Sequence, residues 1–354
     1  MTRTALETTT GTAALLPQMF TRYGADVNGA LKSSLSSEHN FVYDTLRYAM
    51  GWTDSKGNAV AASTGKALRP ILCLFACDAV GGSINKAIPA AMALEFIHNF
   101  SLIHDDIQDK DQTRRGRPTL WVVWGESKAI VAGNVLRVVA DMSLEQLVQQ
   151  DVVVPDALTV IEILTEAYLQ MIEGQYLDLE FESRFDIELD DYLGMISRKT
   201  GALIRCALEM GAVLGTPDKR TVAAFREFGR SLGFVFQIRD DVLGVWGEPE
   251  KTGKPVGADI RRKKNSFPVV HAMNYAKGTD ARRLQEVYRK EVLEDSDVSD
   301  ILTVMERLGT QKQAQGLAEE HCEGALRSLE SVELSPEARS DIESLAEFLL
   351  IRDH

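Results

Sequence analysis

Residues 84–109 read INKAIPAAMALEFIHNFSLIHDDIQD, and this stretch decides the fold class. Its apolar side chains recur at spacings of three and four residues, the period of one helix face: Ile84, Ile88, Ala91, Met92, Leu94, Leu102 and Ile103. The stretch ends on several aspartates, so a long apolar helix carries carboxylates at one end. No part of the sequence combines alternating polarity with turn pairs, the pattern that would indicate a sheet.

Helical periodicity also covers most of the remaining chain. Further helices are predicted over 64–80, 126–149, 157–180, 189–214, 218–246, 266–293, 297–330 and 336–351. Glycine and proline end several of them, as at Gly81–Gly82 and at Pro217. We therefore expect an all-α protein, a single large helical bundle of roughly a dozen helices.

The 354 residues suffice for a sizeable core. We expect one all-α domain over 16–354, preceded by a disordered tail over 1–15, because the first residues are Thr-rich and lack the pattern of a signal peptide. The longest uncharged run, 8–21, is too short and too polar for a membrane span. Four cysteines do not make a disulfide scaffold, so a cytoplasmic location is expected.

The charge balance narrows the class of ligand. The chain carries 39 basic and 52 acidic residues, a net charge of −13. Sequence-independent nucleic-acid binding relies on Lys and Arg neutralising phosphates, so no nucleic-acid partner is expected. Small anionic ligands remain compatible with an acidic protein if metal ions bridge them.

Two groups of aspartates stand at the ends of apolar helices. They are Asp105, Asp106 and Asp109 in the first helix and Asp240 and Asp241 in GFVFQIRDDVLGVWG. Like charges four residues apart destabilise a helix, and negative charge near its C-terminus opposes the macrodipole. Such a local conflict is typical of a functional site.

A basic loop follows each aspartate group. Residues 110–121 read KDQTRRGRPTLW and residues 248–264 read EPEKTGKPVGADIRRKK. Carboxylates beside Lys and Arg suit Mg²⁺ that also binds phosphate oxygens. Each group taken alone is explained as well by a solvated helix end. The repetition of the pattern favours one site with two walls.

Five ordered motifs reveal a resemblance. They are GKALRP (65–70), HDDIQDKDQTRRGRPT (104–119), GQYLDL (174–179), KTGAL (199–203) and FQIRDDVLGVWGEPEKTGKPVGADIRRKK (236–264). The chain resembles the trans-isoprenyl diphosphate synthases (polyprenyl synthetases), most closely those that make geranylgeranyl diphosphate. The resemblance implies an isoprenoid-synthase bundle around a central cavity. It also implies a prenyl transferase that condenses isopentenyl diphosphate with an allylic diphosphate.

The resemblance assigns metal ligands to the aspartates. Asp105, Asp106 and Asp109 would hold two Mg²⁺ ions on the allylic diphosphate, and Asp240 would hold a third. Asp241 is expected to support that second wall. Bound Mg²⁺ and basic side chains would stabilise the diphosphate that leaves when the allylic C–O bond breaks.

The resemblance assigns substrate contacts as well. One set would clamp the allylic diphosphate: Arg114, Lys199 and Lys254. A second set would bind the diphosphate of isopentenyl diphosphate: Lys66, Arg69, His98 and Arg115. Thr200 and Gln237 would place oxygens beside the allylic carbons, and Lys264 would extend the diphosphate rim. Each basic residue also has a plainer explanation as an exposed or partly buried polar residue.

Two positions bear on metal affinity and product length. Gly244 stands where the family often has a third aspartate, so we expect a higher Mg²⁺ requirement than in a Gly244→Asp variant. Phe100 and Ser101 lie one turn before the first aspartates, where side-chain bulk limits product length in the family. One aromatic with a small neighbour resembles the geranylgeranyl pattern, although a plain core role would also explain Phe100.

Alternatives remain open at this stage. A terpene cyclase or irregular prenyl-coupling enzyme on the same scaffold would lack the isopentenyl diphosphate clamp, whereas this chain has it. A non-catalytic regulatory subunit usually lacks one aspartate wall, and this chain has both. Gln175 and Asp178 fit a plain polar helix face as well as a supporting role. The family generally forms homodimers, so a homodimer is expected.

Overall fold

A computed structural model describes residues 16–36, 40–60, 65–182, 184–253 and 255–352. The predicted tail over 1–15 and the predicted ligand Lys254 lie outside these ranges. Within them the structure is all-α, which confirms the predicted fold class.

The helices follow one another along the chain with short connections. Their bounds are α1 (Gln18–Ser36), α2 (Phe41–Ala49), α3 (Leu68–Ala79), α4 (Ile84–Gln108), α5 (Leu120–Trp124), α6 (Glu126–Glu145), α7 (Val154–Phe181), α8 (Leu189–Ile196), α9 (Ala202–Gly215), α10 (Lys219–Trp246), α11 (Pro249–Thr252), α12 (Ala258–Arg261), α13 (Phe267–Tyr275), α14 (Gly278–Tyr288), α15 (Asp295–Arg307), α16 (Thr310–Ser328) and α17 (Pro336–Ile351). A 3₁₀ turn spans Val148–Gln150, and a π-helical turn spans Ser197–Gly201.

The long helices α4, α7 and α10 surround the site and pack on α3, α6 and α9. The middle of α4 is buried on all sides, because its residues from Ala90 to Ile97 are apolar apart from Glu95. A helix that is apolar all round belongs in the centre of a bundle. The end of α4 therefore brings its aspartates to the interior of the molecule.

Two predicted helices are each divided in the structure. The segment 266–293 forms α13 and α14, with extended backbone at Ala276 and Lys277. The segment 297–330 forms α15 and α16, separated at Gly309, whose φ of 64° is left-handed. Periodicity alone does not reveal such breaks, because the apolar pattern continues across them.

The first basic loop contains a small strand pair that the sequence did not indicate. β1 (Thr113–Arg114) and β2 (Arg117–Pro118) pair antiparallel, with Arg115 and Gly116 at the turn. Both turn residues have positive φ, 52° and 72°, as tight hairpin turns require. The hairpin therefore fixes the backbone positions from which the Arg114 and Arg115 side chains extend.

Across the described ranges, no helix is both long enough and apolar enough to span a bilayer.

Candidate active site

The two aspartate walls face a common cavity of about 610 Å³. We call it the polar chamber, and its charged lining residues are Asp105, Asp109, Asp178, Glu182, Asp240, Asp241, Asp259, Arg114, Lys199, Arg262, Lys263 and Lys264. The predicted meeting of two helix ends and two basic loops is thus present in the fold.

A second cavity of about 530 Å³ adjoins the first. We call it the apolar chamber, and its apolar lining residues are Phe100, Leu102, Met171, Ile172, Tyr176, Leu179, Leu203 and Phe236. Asp105, Lys199, Thr200, Gln237 and Asp240 line both chambers, so the two are continuous. A polar head and an apolar tail of one ligand would therefore fit on either side of these residues.

The first wall carries carboxylates of two kinds. Asp106 binds Arg114, whose Nε lies 2.7 Å from Oδ1 of Asp106. The side-chain carboxylates of Asp105 and Asp109 accept no hydrogen bond from any residue in the described part of the chain, although the Asp105 carbonyl accepts from the Asp109 amide at 2.8 Å. Burial, opposed by the attraction of Lys199 and reinforced by the neighbouring Asp109, raises the pKa of Asp105 to about 7. Asp105 is half-buried and Asp109 is exposed. A carboxylate partly removed from water without a partner is costly unless a cation joins it.

The two adjacent aspartates of the second wall have different partners. Asp241 is 1% exposed, and its oxygens accept from Gln237 Nε2 at 2.8 Å, from Tyr192 Oη at 2.7 Å and from the Phe267 amide at 2.8 Å. Lys264 Nζ adds an ion pair at 3.3 Å. The Asp240 side chain is 45% exposed towards both chambers.

Asp240 forms an ion pair with Arg352 from the last described turn of the chain. Arg352 also donates to the Phe236 carbonyl at 3.0 Å and lies over the Phe236 ring, 4.1 Å from its centroid. The sequence offered no signal for this contact, because 112 residues separate the two partners. The C-terminal segment is therefore part of the second wall.

A π-helical turn places Lys199 and Thr200 between the walls. Such turns are rare and frequently occur at functional sites. Thr200 Oγ1 donates to Gln237 Oε1 at 2.6 Å, and Gln237 in turn donates to Asp241. Lys199 binds Asp178. Asp178, which the sequence left open, thus has a supporting contact.

Glycines allow this turn to lie against its neighbours. A Cβ on Gly174 of α7 would lie 2.2 Å from the Lys199 amide nitrogen. A Cβ on Gly233 of α10 would lie 2.7 Å from Cα of Gly201. Side chains at Gly174 and Gly233 would separate the helices, so these glycines fix how closely α7 and α10 approach the turn.

A third group of cations lies beside the first wall. Arg69 and His98 line the apolar chamber together with Arg115. The Arg115 guanidinium lies against Gly65, where a Cβ would be 2.6 Å from Nη2. Burial lowers the pKa of Arg69 to about 10, and burial with the neighbouring arginines lowers the pKa of His98, which keeps its ring neutral.

Glu95 balances this cationic group from the core of α4. Its side chain is buried and accepts from Asn99 Nδ2 at 2.9 Å. Burial raises its pKa, whereas Arg69 and Arg115 lower it. Glu95 is a lone carboxylate within the apolar run of α4. This feature is visible in the sequence, but it lies outside the motifs that predicted the site.

Most predicted site residues converge, and two of the described ones line neither chamber. Asp106 lines a separate small pocket together with Arg114 and Arg115. Lys66 lines neither chamber, and its Nζ lies over the Phe348 ring at 5.0 Å. Lys264 lines the polar chamber, and Phe100 and Ser101 line the apolar chamber. The two basic loops also touch each other, because Arg262 binds Asp111.

The donor set fits a hard divalent cation. Asp105 is half-buried and Asp109 is exposed, neither carboxylate accepts a hydrogen bond from the described residues, and Asp240 opens onto the same space. In the described part of the chain, no three acidic, His or Cys side chains converge into a ready metal site. A cation would therefore take its remaining oxygens from substrate and water, as Mg²⁺ commonly does.

Comparisons with known proteins agree with this geometry. The family model described as Polyprenyl synthetase matches residues 52–305. A geranylgeranyl diphosphate synthase of Mycobacterium tuberculosis is 36% identical over 317 residues, covering 89% of each chain. A (2E,6E)-farnesyl diphosphate synthase of the same species is 34% identical, covering 87% of this chain and 85% of the relative.

A solved structure is similar over nearly the whole fold. The crystal structure of a polyprenyl synthetase from Streptomyces coelicolor A3(2) superposes with a TM-score of 0.87 at 31% identity, covering 94% of this chain and 99% of that one. Our chain belongs to the polyprenyl synthetase family. It is accordingly a trans-prenyl diphosphate synthase, a transferase of prenyl groups.

Proposed function

We propose that this synthase condenses isopentenyl diphosphate with an allylic diphosphate and that its main product is geranylgeranyl diphosphate. The observation that carries the proposal is the junction of the polar and apolar chambers at Asp105, Lys199, Thr200, Gln237 and Asp240. An allylic diphosphate laid across this junction has its charged head among carboxylates and cations. Its hydrocarbon tail lies among apolar side chains.

The first wall and the π-helical turn hold the allylic diphosphate. Asp105, Asp106 and Asp109 would hold two Mg²⁺ ions, and Asp240 a third. When bound, the ions neutralise the leaving diphosphate. Arg114 and Lys199 add positive charge at the same end. Lys254, outside the described residues, is proposed for the same clamp. Lys264, which also pairs with Asp241, is proposed for the diphosphate rim.

Thr200 and Gln237 lie beside the proposed position of the allylic carbons. The Thr200 hydroxyl donates a hydrogen bond to Gln237. The lone pairs of the hydroxyl oxygen therefore stay available to face developing positive charge. Asp241 orients Gln237 by accepting from its amide and has no role as a metal ligand in this scheme. Apolar walls keep water away from the allylic cation, which would otherwise be captured as an alcohol.

The group Lys66, Arg69, His98 and Arg115 is proposed to bind the diphosphate of isopentenyl diphosphate. Arg69 is half-buried, and its Nε is a buried donor with no hydrogen-bond partner among the described residues. A guanidinium with an unused buried donor is suited to an incoming anion. The double bond of isopentenyl diphosphate would attack the allylic cation, and the released diphosphate would accept the proton that leaves.

Phe100 is proposed to limit product length. It lines the apolar chamber and packs edge-on against His104, with ring centroids 4.8 Å apart. His104 Nε2 lies 3.2 Å from the Ile130 carbonyl of α6. The Phe100 ring is therefore backed by a second ring and by the α6 backbone, an arrangement suited to stopping a growing chain.

The protein is also proposed to act as a homodimer. Exposed apolar side chains follow α6, the 3₁₀ turn and α7: Ile130, Val131, Val138, Met142, Val148, Val154, Leu158, Ile161, Leu169, Ile172 and Tyr176. Arg137 of α6 donates to Tyr168 of α7 at 2.8 Å, so the two helices border one surface. An apolar surface of this extent indicates a protein partner, and a second copy would cover it.

The experiment that tests the proposed function is a product assay. The purified chain is incubated with Mg²⁺, isopentenyl diphosphate and each allylic starter, and the dephosphorylated products are separated by length. We expect geranylgeranyl diphosphate as the main product and no product after chelation of the metal. Replacing Asp105 and Asp106 together by alanine should lower the rate by more than about 10³-fold.

The matched control replaces Glu343 and Glu347, two exposed carboxylates of α17, by alanine. This variant loses the same charge away from the chambers and should keep the wild-type rate. Chain elongation that continues without metal, or in the Asp105/Asp106 variant, would contradict the proposed function.

A further inference from the structure

Gly244 lies one helical turn after Asp240, at the position where an aspartate would pair with it along α10. The space beside Gly244 is already filled. A Cβ on Gly244 would lie 2.2 Å from Oδ2 and 2.4 Å from Cγ of Asp259. Because Gly244 has no side chain, the Asp259 carboxylate can occupy this space.

The second basic loop brings Asp259 to this position. The Gly257 amide donates to the Val245 carbonyl at 2.9 Å, which ties the loop to α10 directly beside Gly244. Gly257 has a left-handed φ of 73°, and α12 begins after it. Asp259 lies in the first turn of α12, and its carbonyl accepts from the Lys264 amide at 2.9 Å.

Asp259 shares a cation with the second wall. Lys264 Nζ lies 3.3 Å from Oδ1 of Asp241 and 3.7 Å from Oδ2 of Asp259. Asp259 is 7% exposed, and that remaining surface faces the polar chamber. Its carboxylate accepts no hydrogen bond from the described residues. A buried carboxylate in this condition has unused capacity for a cation or its bound water.

We propose that Asp259 takes the place of the absent third aspartate of the second wall, so that Asp240 binds the ion from α10 and Asp259 supports it from the loop. This inference rests on the proposed metal site. Asp259 is a positioning residue for that ion, and Gly244 is required because it leaves room for Asp259. A Gly244→Asp change therefore does not add a ligand, since the new side chain displaces the existing one. This replaces the expectation from the sequence alone that such a variant would need less Mg²⁺.

Metal binding by the full-length protein tests this inference without relying on turnover. Mn²⁺ is titrated in the presence of inorganic pyrophosphate, and free Mn²⁺ is counted by electron paramagnetic resonance. We expect Asp259→Asn and Asp259→Ala to weaken the weakest-bound ion by about tenfold or more, as loss of a supporting partner does at metal sites. Gly244→Asp should bind Mn²⁺ no more tightly than wild type.

The decisive variant exchanges the two positions. Gly244→Asp combined with Asp259→Ala removes the atoms that would collide and returns one carboxylate to the wall. We expect its Mn²⁺ affinity to lie closer to wild type than that of either single variant. Asp295→Asn is the matched control, because this aspartate pairs with Arg261 of α12 and is 93% exposed. It should bind Mn²⁺ as wild type does.

The outcomes separate the possible failures. If wild type binds no Mn²⁺ with pyrophosphate, the proposed metal site itself is wrong. If wild type binds Mn²⁺ and the Asp259 variants match it within twofold, or the folded exchange variant regains nothing, this inference alone is overturned. If Asp259→Ala does not fold, Gly244→Ala serves, because its methyl group should displace Asp259 and weaken Mn²⁺ binding equally. Wild-type affinity in Gly244→Ala would overturn the inference.

Discussion

Neighbouring aspartates have different chemical capacities because of their partners. Asp241 accepts from Gln237, Tyr192 and the Phe267 amide, so its oxygens are occupied by protein donors. Asp240 faces both chambers and has Arg352 as its described partner. A sequence motif shows two equal carboxylates. In the structure Asp241 is surrounded by protein donors, whereas Asp240 pairs with Arg352 and keeps part of its surface open to both chambers.

Replacement of Phe100 tests the proposed limit on product length. Phe100→Ala removes the ring that packs against His104 and opens the apolar chamber. We expect products at least one isoprene unit longer, detected by chromatography of the dephosphorylated alcohols. Loss of a partly buried ring should also lower stability, by up to about 3 kcal/mol.

The control for this variant is Phe185→Ala, which removes an exposed ring outside both chambers. Its product distribution should equal that of wild type. Products of unchanged length from Phe100→Ala would place the limit on another residue of the apolar chamber.

Sequence patterns predicted single residues of this site better than their contacts. The aspartates, Arg114 and Lys199 were found because each lies in a short motif. Asp259 and Arg352 were not, since their partners lie 15 or more residues away in the chain. No local rule connects Asp259 with Gly244. Only the folded loop shows that one occupies the space of the other.

At the scale of elements, the π-helical turn depends on close backbone contacts. α7 approaches this turn at Gly174, and α10 approaches it at Gly233. The turn in turn presents Lys199 and Thr200 to both chambers. Helix packing therefore determines the position of two proposed substrate contacts.

Adding a methyl group at Gly174 tests this dependence. In Gly174→Ala the new Cβ would lie 2.2 Å from the Lys199 amide nitrogen, so α7 or the turn has to shift. We expect a loss of about 1–3 kcal/mol in the free energy of unfolding, typical of overpacking. The rate of prenyl transfer should fall at least tenfold as Lys199 and Thr200 move. Chemical denaturation and steady-state kinetics measure the two effects.

Gly316→Ala provides the comparison, because Gly316 lies inside α16 with no atom within 4 Å of the added Cβ. That change should be neutral or stabilising by up to about 1 kcal/mol. Equal behaviour of the two variants would mean that the contact at Gly174 does not constrain the turn.

Long helices were predicted to within a few residues, and their interruptions were not. The predicted 84–109 and 218–246 correspond to α4 and α10, because caps and apolar periodicity agree there. The π-helical turn inside 189–214 left no trace in the sequence. Its cause is tertiary, since it arises where α7 and α10 press against the same backbone.

At the scale of the whole molecule, three apolar clusters make up the core. Trp246 packs against the second and third clusters, and Leu350 packs against the first and third. We propose on this ground that residues 16–354 form one domain. Residues of the first cluster line the apolar chamber and residues of the third line the polar chamber, so the walls of the site come from segments far apart in the sequence.

The proposed homodimer is tested by introducing charge on the exposed face of α6. Val138 and Met142 are four residues apart and both exposed, so they share one face. We expect wild type to sediment as a dimer in analytical ultracentrifugation. Val138→Asp with Met142→Asp should shift it towards monomer, because burying two unpaired carboxylates opposes association.

Val292→Asp is the matched control, since this apolar residue is exposed between α14 and α15. It should sediment as wild type does. A double variant of α6 that remains fully dimeric would show that the copies associate through a different surface.

The glycine contacts at the π-helical turn also limit how the product length of such an enzyme can change in evolution. Where backbones touch, almost any exchange of amino acid disturbs the reaction, so mutation has little freedom there. The space beside Phe100 is proposed to receive only the hydrocarbon tail of the substrate, so it tolerates changes of volume. Enzymes named for farnesyl and geranylgeranyl products both align with this chain over most of its length. New product sizes would then arise by reshaping the far end while the reacting end stays constant.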